Sequence, residues 1–147
     1  MRPLFYLKGE KKMARSAIYV ANTGSQEINE NGNINLGTIL RRFGCNFGLA
    51  GTGLSIAGPG YYEIEASITL APAAEGEITV AMYKDEVAVP GASATVTAAA
   101  AGDSVNLSIL SLVRECCPCA DTISNLTFKV LGGTATVTNI AIVGEKL

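Results

Sequence analysis

The sequence predicts an all-β protein, and the run from Pro59 to Leu70 is its clearest sign. Apolar and polar residues alternate strictly along this run, as they do in a strand that packs one face on a core. Shorter alternating runs follow, separated by Gly, Pro and Asp, and the apolar residues are mainly Ala, Val and Ile. β-Branched residues suit a pleated surface, and no amphipathic helix pattern is present. We therefore predict a single sandwich or jelly roll of short strands.

Length and charge narrow the class of protein. A chain of 147 residues is long enough to bury a core as one domain. No apolar run approaches the length of a membrane span, so no membrane partner is expected. The net charge of -2 combines a basic N-terminal segment with an acidic remainder. An acidic domain is not expected to bind nucleic acid.

We divide the chain into a short N-terminal arm, residues 1–24, and a domain, residues 25–147. The cations of the arm are Arg2, Lys8, Lys11, Lys12 and Arg15, against the single carboxylate of Glu10. Such an arm is expected to anchor on an acidic neighbouring subunit or an anionic surface, although its composition fits a disordered leader equally well. Its apolar run at 4–7 is too short for a secretory signal. The sequence leaves open whether Met1 or Met13 is the natural start.

The first half of the chain contains few clear strands. Ala17–Ala21 predicts a short strand within the arm. The segment 22–35 is polar and rich in turn residues, and Asn31-Gly32 predicts a tight turn. The segment 34–47 is mixed, and the Gly-rich segment 48–60 predicts loops around one short strand at Leu54–Ile56.

The second half contains the clear strands, which we predict at Tyr61–Leu70, Glu77–Tyr83, Val87–Val89, Ala92–Ala98, Ser104–Ile109, Asn125–Leu131 and Ala135–Val143. Lys84-Asp85-Glu86 and Gly132-Gly133 predict hairpin turns, and Pro90-Gly91 predicts a turn or a bulge. The apolar parity of the last strand shifts near Thr138-Asn139, which predicts a β-bulge there. Ala98–Ala101 is too short to nucleate a helix and predicts a loop or a strand end.

Four stretches of this sequence carry a resemblance to a known family. They are Arg41–Cys45, Pro59–Ile64, Val80–Lys84 continuing through Val87–Ala92, and Val137–Leu147. Together they resemble the small trimeric jelly-roll domains of the C1q/TNF-like class, over about residues 30 to 147. The members of this class that the sequence resembles most are encoded by phages and prophages. The head domains of collagen-like spore-surface proteins are also similar. This chain differs in having no Gly-X-Y stretch before the domain.

The resemblance implies a jelly-roll β-sandwich that assembles as a homotrimer and serves as a fibre head, a decoration or a ligand-binding knob. Closed assembly would also cover the strand edges and apolar outer faces that a small sandwich exposes. We expect Tyr61, Tyr83 and Arg114 to contribute to assembly. A half-exposed position within the sheet is the alternative for Tyr61.

The sequence predicts no catalytic residues and no cofactor. It contains no histidine, which removes the commonest general base and metal ligand. Glu63 and Glu65 share a strand face, where paired carboxylates are usually solvated. The carboxylates Asp85, Glu86, Asp103 and Asp121 lack the spacing of a calcium loop. The Gly-rich stretch 48–53 lacks the lysine and the helix of a phosphate-binding loop.

The cysteines are the sharpest oddity of the sequence. Cys116 and Cys119 form a C-x-x-C pair, whose spacing suits zinc, and outside this cluster only Cys45 remains as a candidate ligand. A closed zinc site needs four ligands, so we favour buried thiols or a disulfide formed in an oxidising medium. No metal site is therefore predicted.

These observations predict a non-enzymatic phage virion protein, made in the bacterial host cytoplasm and assembled as a trimeric capsid decoration or head-fibre component. Its expected partners are further copies of itself and other virion structural proteins. The alternative is a receptor- or glycan-binding knob at a fibre tip or bacterial surface, with a host surface glycan as its ligand. The absence of Trp and the Gly-, Ala- and Asp-rich loops make that alternative weaker.

Overall fold

The computed structural model describes residues 15–115 and 123–147, and within them the chain forms eleven strands and no helix. The strands are β1 (Ala17–Asn22), β2 (Gln26–Ile28), β3 (Thr38–Phe43), β4 (Phe47–Ala50), β5 (Gly53–Ala57), β6 (Gly60–Pro72), β7 (Gly76–Lys84), β8 (Val87–Ala98), β9 (Val105–Glu115), β10 (Ile123–Leu131) and β11 (Ala135–Lys146). None of these elements is a helix long and apolar enough to cross a membrane.

The strands form two antiparallel sheets. Sheet 1 has the order β9-β6-β11-β1-β3, and β2 pairs with the start of β11. Sheet 2 has the order β4-β5-β10-β7-β8. From β6 onward the chain crosses repeatedly between the sheets, which is the connectivity of a jelly-roll sandwich. The predicted fold class is confirmed.

The inward faces of both sheets form one continuous core. Its largest fully buried side chains include Tyr62, Ile68, Met82 and Phe128. Gly144 faces this core, where a Cβ would approach Phe47 Cε1 to 3.0 Å and Ile64 Cδ1 to 3.2 Å. The absence of a side chain at Gly144 therefore lets the two sheets pack closely.

Several local predictions are confirmed. β6 extends the predicted strand by one residue at its start and two at its end, and the register of β11 shifts between Val137 and Asn139. β7 and β8 form the predicted hairpin. Its turn residues Asp85 and Glu86 adopt positive φ angles of 49° and 69°, as a type I′ turn requires at both central positions.

Three predictions of extent or connection are wrong. β9 continues past Ile109 to Glu115. Val87–Ala98 is one strand and not two, although the bulge predicted as one option at Pro90-Gly91 is confirmed by the register shift opposite it, between Ala81 and Tyr83. Gly132-Gly133 joins β10 of sheet 2 to β11 of sheet 1, so this turn connects the sheets and does not close a hairpin.

The predicted arm contributes a strand to the sandwich. β1 pairs with β11 on one side and with β3 on the other, and its Ile18 and Val20 are buried. Residues 1–14 lie outside the described residues. Any anchoring segment within the arm must therefore precede β1.

Candidate functional site

The outer face of sheet 1 carries the main candidate surface. The antiparallel registers place one row of side chains across all five strands, in the order Leu110, Glu65, Val143, Tyr19 and Arg41. The first four positions face away from the core because each alternates with a buried neighbour, and Arg41 shares their face because it lies directly opposite Tyr19.

A second row runs parallel to the first, in the order Leu112, Glu63, Glu145, Ala17 and Phe43. Together the two rows give sheet 1 an outer face that mixes large apolar groups with charges. This composition differs from the polar outer face expected of a sheet that meets only water.

The apolar side chains of this face are strongly exposed. Leu110 is 61% exposed, Leu112 58%, Phe43 61% and Val143 49%. The cross-strand register makes Val143 and Tyr19 direct neighbours and leaves the two leucines on the edge strand β9. Clustered exposed apolar groups of this kind usually mark a surface that a partner covers.

The carboxylates of this face lie close to one another. Glu63 is directly opposite Glu145 on β11, and Glu65 is two positions along the same face of β6. Like charges directly opposite each other in a sheet are destabilising. Among the ion pairs within residues 15–115 and 123–147, none includes Glu63, Glu65, Glu145 or Arg41.

Two shallow hollows lie on either side of β11, the central strand of sheet 1. One, of about 380 Å³, lies over the small residues Ser67, Ser108 and Ala141 beside Glu65 and Leu110. The other, of about 220 Å³, lies over Ala17 and is bordered by Tyr19, Arg41, Phe43 and Val143. Each hollow therefore adjoins both an apolar side chain and a charge.

The three residues expected to contribute to assembly do not lie together. The register pairs Arg114 with Tyr61 on sheet 1, where the guanidinium carbon lies 5.9 Å from the centre of the tyrosine ring. Tyr83 lies on the outer face of sheet 2, with Lys129 Nζ 5.4 Å from the centre of its ring. An assembly role for all three would therefore need two different faces of the sandwich.

The outer face of sheet 2 is polar and internally bonded. Lys129 Nζ donates a hydrogen bond of 2.8 Å to Asn33 Oδ1 and lies 3.4 Å from Glu86 Oε1. The hydroxyls of Thr79 and Thr95 are 2.7 Å apart across β7 and β8. These groups are paired within the protomer, whereas Asn125 Oδ1 and Thr127 Oγ1 on β10 are buried without a hydrogen-bond partner.

One end of the sandwich holds a buried polar cluster around Tyr62. Its hydroxyl donates to the carbonyl oxygen of Gly58 at 2.8 Å, and Asn46 Nδ2 donates to it at 3.3 Å. Burial is the main cause that raises the pKa of Tyr62, and the negative charge of Glu115 raises it further. Glu115 is itself only 4% exposed, with Lys84 Nζ 3.8 Å away. These contacts close the end of the core, and Lys84 also lines a hollow of about 430 Å³ between the ends of β8 and β9.

The comparisons with known proteins bear on this architecture. No family model matches the chain, and no curated protein matches it. Among solved structures, Eiger TNF from S. frugiperda superimposes with a TM-score of 0.62 at 10% identity, over 90% of this chain and 91% of that one. The chain has the C1q/TNF-like jelly-roll fold. The globular domain of the zebrafish complement 1qA protein gives a TM-score of 0.59 at 11% identity, covering 90% of this chain and 96% of that one.

A third solved structure with this fold is the PRD1 vertex protein P5. It gives a TM-score of 0.50 at 16% identity, over 90% of this chain and 96% of that one. Identities this low establish the shared fold alone.

The remaining candidate residues of this C1q/TNF-like domain are only partly described. Cys45 is exposed in the turn between β3 and β4, whereas Cys116 and Cys119 lie outside the described residues. Within the described residues no three His, Cys, Asp or Glu side chains group as a metal site. Of the arm cations, Arg15 is described and exposed, and Arg2, Lys8, Lys11 and Lys12 are outside the described residues.

Sequence reasoning missed the most exposed part of the candidate surface. It ended the ninth strand at Ile109, so Leu110 and Leu112 received no role, and Tyr19, Phe43 and Arg41 were not connected. The signal was present in β9, where the alternation of Leu107 and Ile109 continues to Val113 while leucines occupy the intervening outer positions. Leucines at both odd and even positions of one strand indicate that both faces of that strand are apolar.

Proposed function

We propose that this chain is a non-enzymatic structural protein of a phage virion, acting as a homotrimeric capsid decoration or head-fibre component. The observation that carries the proposal is the exposed apolar outer face of sheet 1, formed by Tyr19, Phe43, Leu110, Leu112 and Val143. A sandwich that serves only as a free monomer gains nothing from exposing such a face, whereas closed symmetric assembly buries it.

The virion location is supported by the fold. The jelly roll is shared with the PRD1 vertex protein P5, alongside TNF and complement domains. A non-enzymatic role is supported by the position of Glu63 and Glu65, which lie on an open sheet face among leucines. A carboxylate pair that acts in catalysis usually lies in a cleft that excludes water.

The trimer is tested by the solution mass of the purified chain, measured by light scattering after size exclusion. We expect a mass about three times the 15.2 kDa of the protomer. The apolar face of sheet 1 would then be covered by neighbouring copies. A mass of one protomer at micromolar concentration would contradict the homotrimer.

The anchoring role is assigned in this proposal to the part of the arm that precedes β1, with its cations Arg2, Lys8, Lys11, Lys12 and Arg15. Deleting residues 1–14 leaves in place all strands of sheet 1 that lie within the described residues, so the truncated protein should fold. We expect it to lose incorporation into virions, measured by the protein composition of purified particles. A full-length variant with Lys8, Lys11 and Lys12 changed to Gln separates the effect of charge from that of length.

Unchanged incorporation of the truncated protein would contradict an anchoring arm. A fibre-tip knob that binds a host glycan has weaker support, because the exposed aromatic residues Tyr19, Phe43 and Tyr61 lie on sheet 1 and not in a loop cluster. A glycan array with a specific hit would favour the knob over the decoration.

A further inference from the structure

One side-chain cluster on the outer face of sheet 2 brings an amine next to an amide and a carboxylate. Lys129 Nζ donates a hydrogen bond of 2.8 Å to Asn33 Oδ1, and Glu86 Oε1 lies 3.4 Å from the same nitrogen. The amide nitrogen of Asn33 is held separately, because it donates to Thr52 Oγ1 at 3.3 Å. The cluster therefore contains the three groups that condense a lysine with an asparagine: a nucleophile, an acyl carbon and a proton acceptor.

The backbone fixes this arrangement. Asn33 lies directly opposite Lys129 in an isolated antiparallel bridge, and Ile34 N donates a hydrogen bond of 2.8 Å to Phe128 O beside it. Because a C=O bond is about 1.2 Å long, Asn33 Cγ lies no further than about 4 Å from Lys129 Nζ. The two atoms are therefore held close to the separation at which groups react.

The surroundings shelter the amine more than the carboxylate. The side chain of Lys129 is 17% exposed, and its Nζ lies 5.4 Å from the centre of the Tyr83 ring. Thr127, two residues before it on the same face of β10, is buried. Glu86 is 69% exposed. The carboxylate can therefore exchange protons with solvent while it contacts the sheltered amine.

We propose that Lys129 and Asn33 of the same chain form an isopeptide bond as the protein ages. The unprotonated Nζ of Lys129 attacks Cγ of Asn33, and Glu86 accepts the proton that Nζ loses. A proton passes from Glu86 to Nδ2 of Asn33, the bond between Cγ and Nδ2 breaks, and ammonia leaves. One primary amine and one primary amide thus become one secondary amide and one ammonia, so the step balances without an oxidant or a co-reactant.

The chemistry of the two groups predicts a slow reaction. Only an unprotonated amine is nucleophilic, and an amide is a weak electrophile. Fixed proximity offsets part of this barrier, because a held pair reacts as though at very high concentration. Freshly made protein should therefore contain the hydrogen-bonded pair that the structure shows, and the isopeptide bond should accumulate over days to weeks.

The bond would join two distant parts of the chain. It would close a covalent loop from residue 33 to residue 129 and tie the segment before β3 to the middle of sheet 2. A cross-link of such long span restricts the unfolded chain, so aged protein should melt at a temperature several degrees higher than fresh protein.

The bond is tested by mass spectrometry of the full chain, fresh and after a month at physiological temperature. We expect aged wild type to be lighter by the mass of one ammonia, and its protease digest to contain the peptide of Asn33 joined to that of Lys129. Lys129→Arg keeps a cation but lacks a primary amine, so it should give no joined peptide. Glu86→Gln should slow the accumulation at least about tenfold, because the proton acceptor is lost. Thermal melts of fresh protein establish that each variant is folded.

A second source of ammonia loss lies nearby, and the joined peptide distinguishes it. Asparagine followed by glycine, as at Asn31-Gly32, can cyclise with the release of ammonia, and that loss would persist in Lys129→Arg. A joined peptide in aged wild type that is absent from Lys129→Arg supports the isopeptide bond. Aged, folded wild type without a joined peptide overturns it, whether or not ammonia has been lost.

The remaining outcome concerns the proton acceptor. Accumulation at the wild-type rate in Glu86→Gln would overturn the role of Glu86 in the reaction. The reaction takes place within one chain, so none of these results depends on the proposed trimer or on its place in a virion.

Discussion

The two outer faces of this sandwich are built from the same kind of strand but differ in how they meet solvent. On sheet 2 the cation of Lys129 is paired within the protomer, with Asn33 and Glu86. Sheet 1 leaves leucines exposed and glutamates opposite one another. The proposed assembly would cover the exposed apolar groups of sheet 1, whereas Lys129 of sheet 2 already has its partners in a single chain.

The largest expected effect comes from placing a charge on each face in turn. Leu112→Asp should abolish the trimer, raising its dissociation constant by more than about 100-fold, because a carboxylate would be desolvated beside Glu63. Thr95→Asp on the outer face of sheet 2 is the matched change and should leave the mass unchanged. Light scattering over a dilution series measures both. Equal effects of the two variants would remove the distinction between the faces.

A smaller effect is expected from removing one cation from each face. Lys129→Ala should lower the free energy of unfolding by about 1–2 kcal/mol, because Lys129 bonds Asn33 and lies over the ring of Tyr83. Arg41→Ala should change the stability of the isolated protomer by less than about 0.5 kcal/mol, since it has no carboxylate partner within the described residues. Urea unfolding below the association concentration measures both. A larger loss from Arg41→Ala than from Lys129→Ala would reverse the assignment of the two faces.

The smallest effect is expected from a change in the core, which the two sheets share and where their outer faces should make no difference. Tyr62 lies in the shared core, and Tyr62→Phe should cost about 1 kcal/mol through the lost hydrogen bond to Gly58. Burial raises the folded-state pKa of Tyr62 above its unfolded value near 10. The folded state therefore holds this proton more tightly, and the stability is present below about pH 10 and falls as pH rises further.

Denaturant unfolding of the wild type and of Tyr62→Phe between pH 8 and pH 11 measures this dependence. We expect the alkaline loss of stability to be smaller in the variant. An identical pH dependence of the two proteins would show that Tyr62 does not link the core to pH.

The sequence predicted the fold correctly where the burial of one strand face produced a regular alternation of apolar and polar residues. The alternation in β6 and the parity shift before Asn139 both predicted what the structure contains. The same reasoning ended β9 at Ile109 because Leu110 and Leu112 break the apolar–polar alternation on which the method depends. That failure occurred at the proposed interface, where a strand must satisfy two apolar surroundings.

The candidate site was less accessible to sequence reasoning because it depends on pairing across the sheet. Tyr19 and Val143 lie far apart in the chain and become neighbours only through the register of β1 on β11. Tyr61 and Tyr83 look alike in sequence, yet the crossing from sheet 1 to sheet 2 between β6 and β7 places them on opposite faces. The spacing of residues along the chain does not indicate which strands will be neighbours in a sheet.

The position of β1 has a consequence for the synthesis of the protein. Its partners in sheet 1 include Ile140 and Ile142 of β11, so the buried side chains Ile18 and Val20 cannot be covered on that side until β11 is made. Pairings of such long sequence separation close slowly, because loop-closure entropy must be overcome first. During translation β1 can pair with β3, but its other edge would stay open until β11 is made, at risk of adding to the sheet edge of another nascent chain. Ribosome-bound chains truncated before β11 should accordingly be more sensitive to protease than chains that include it.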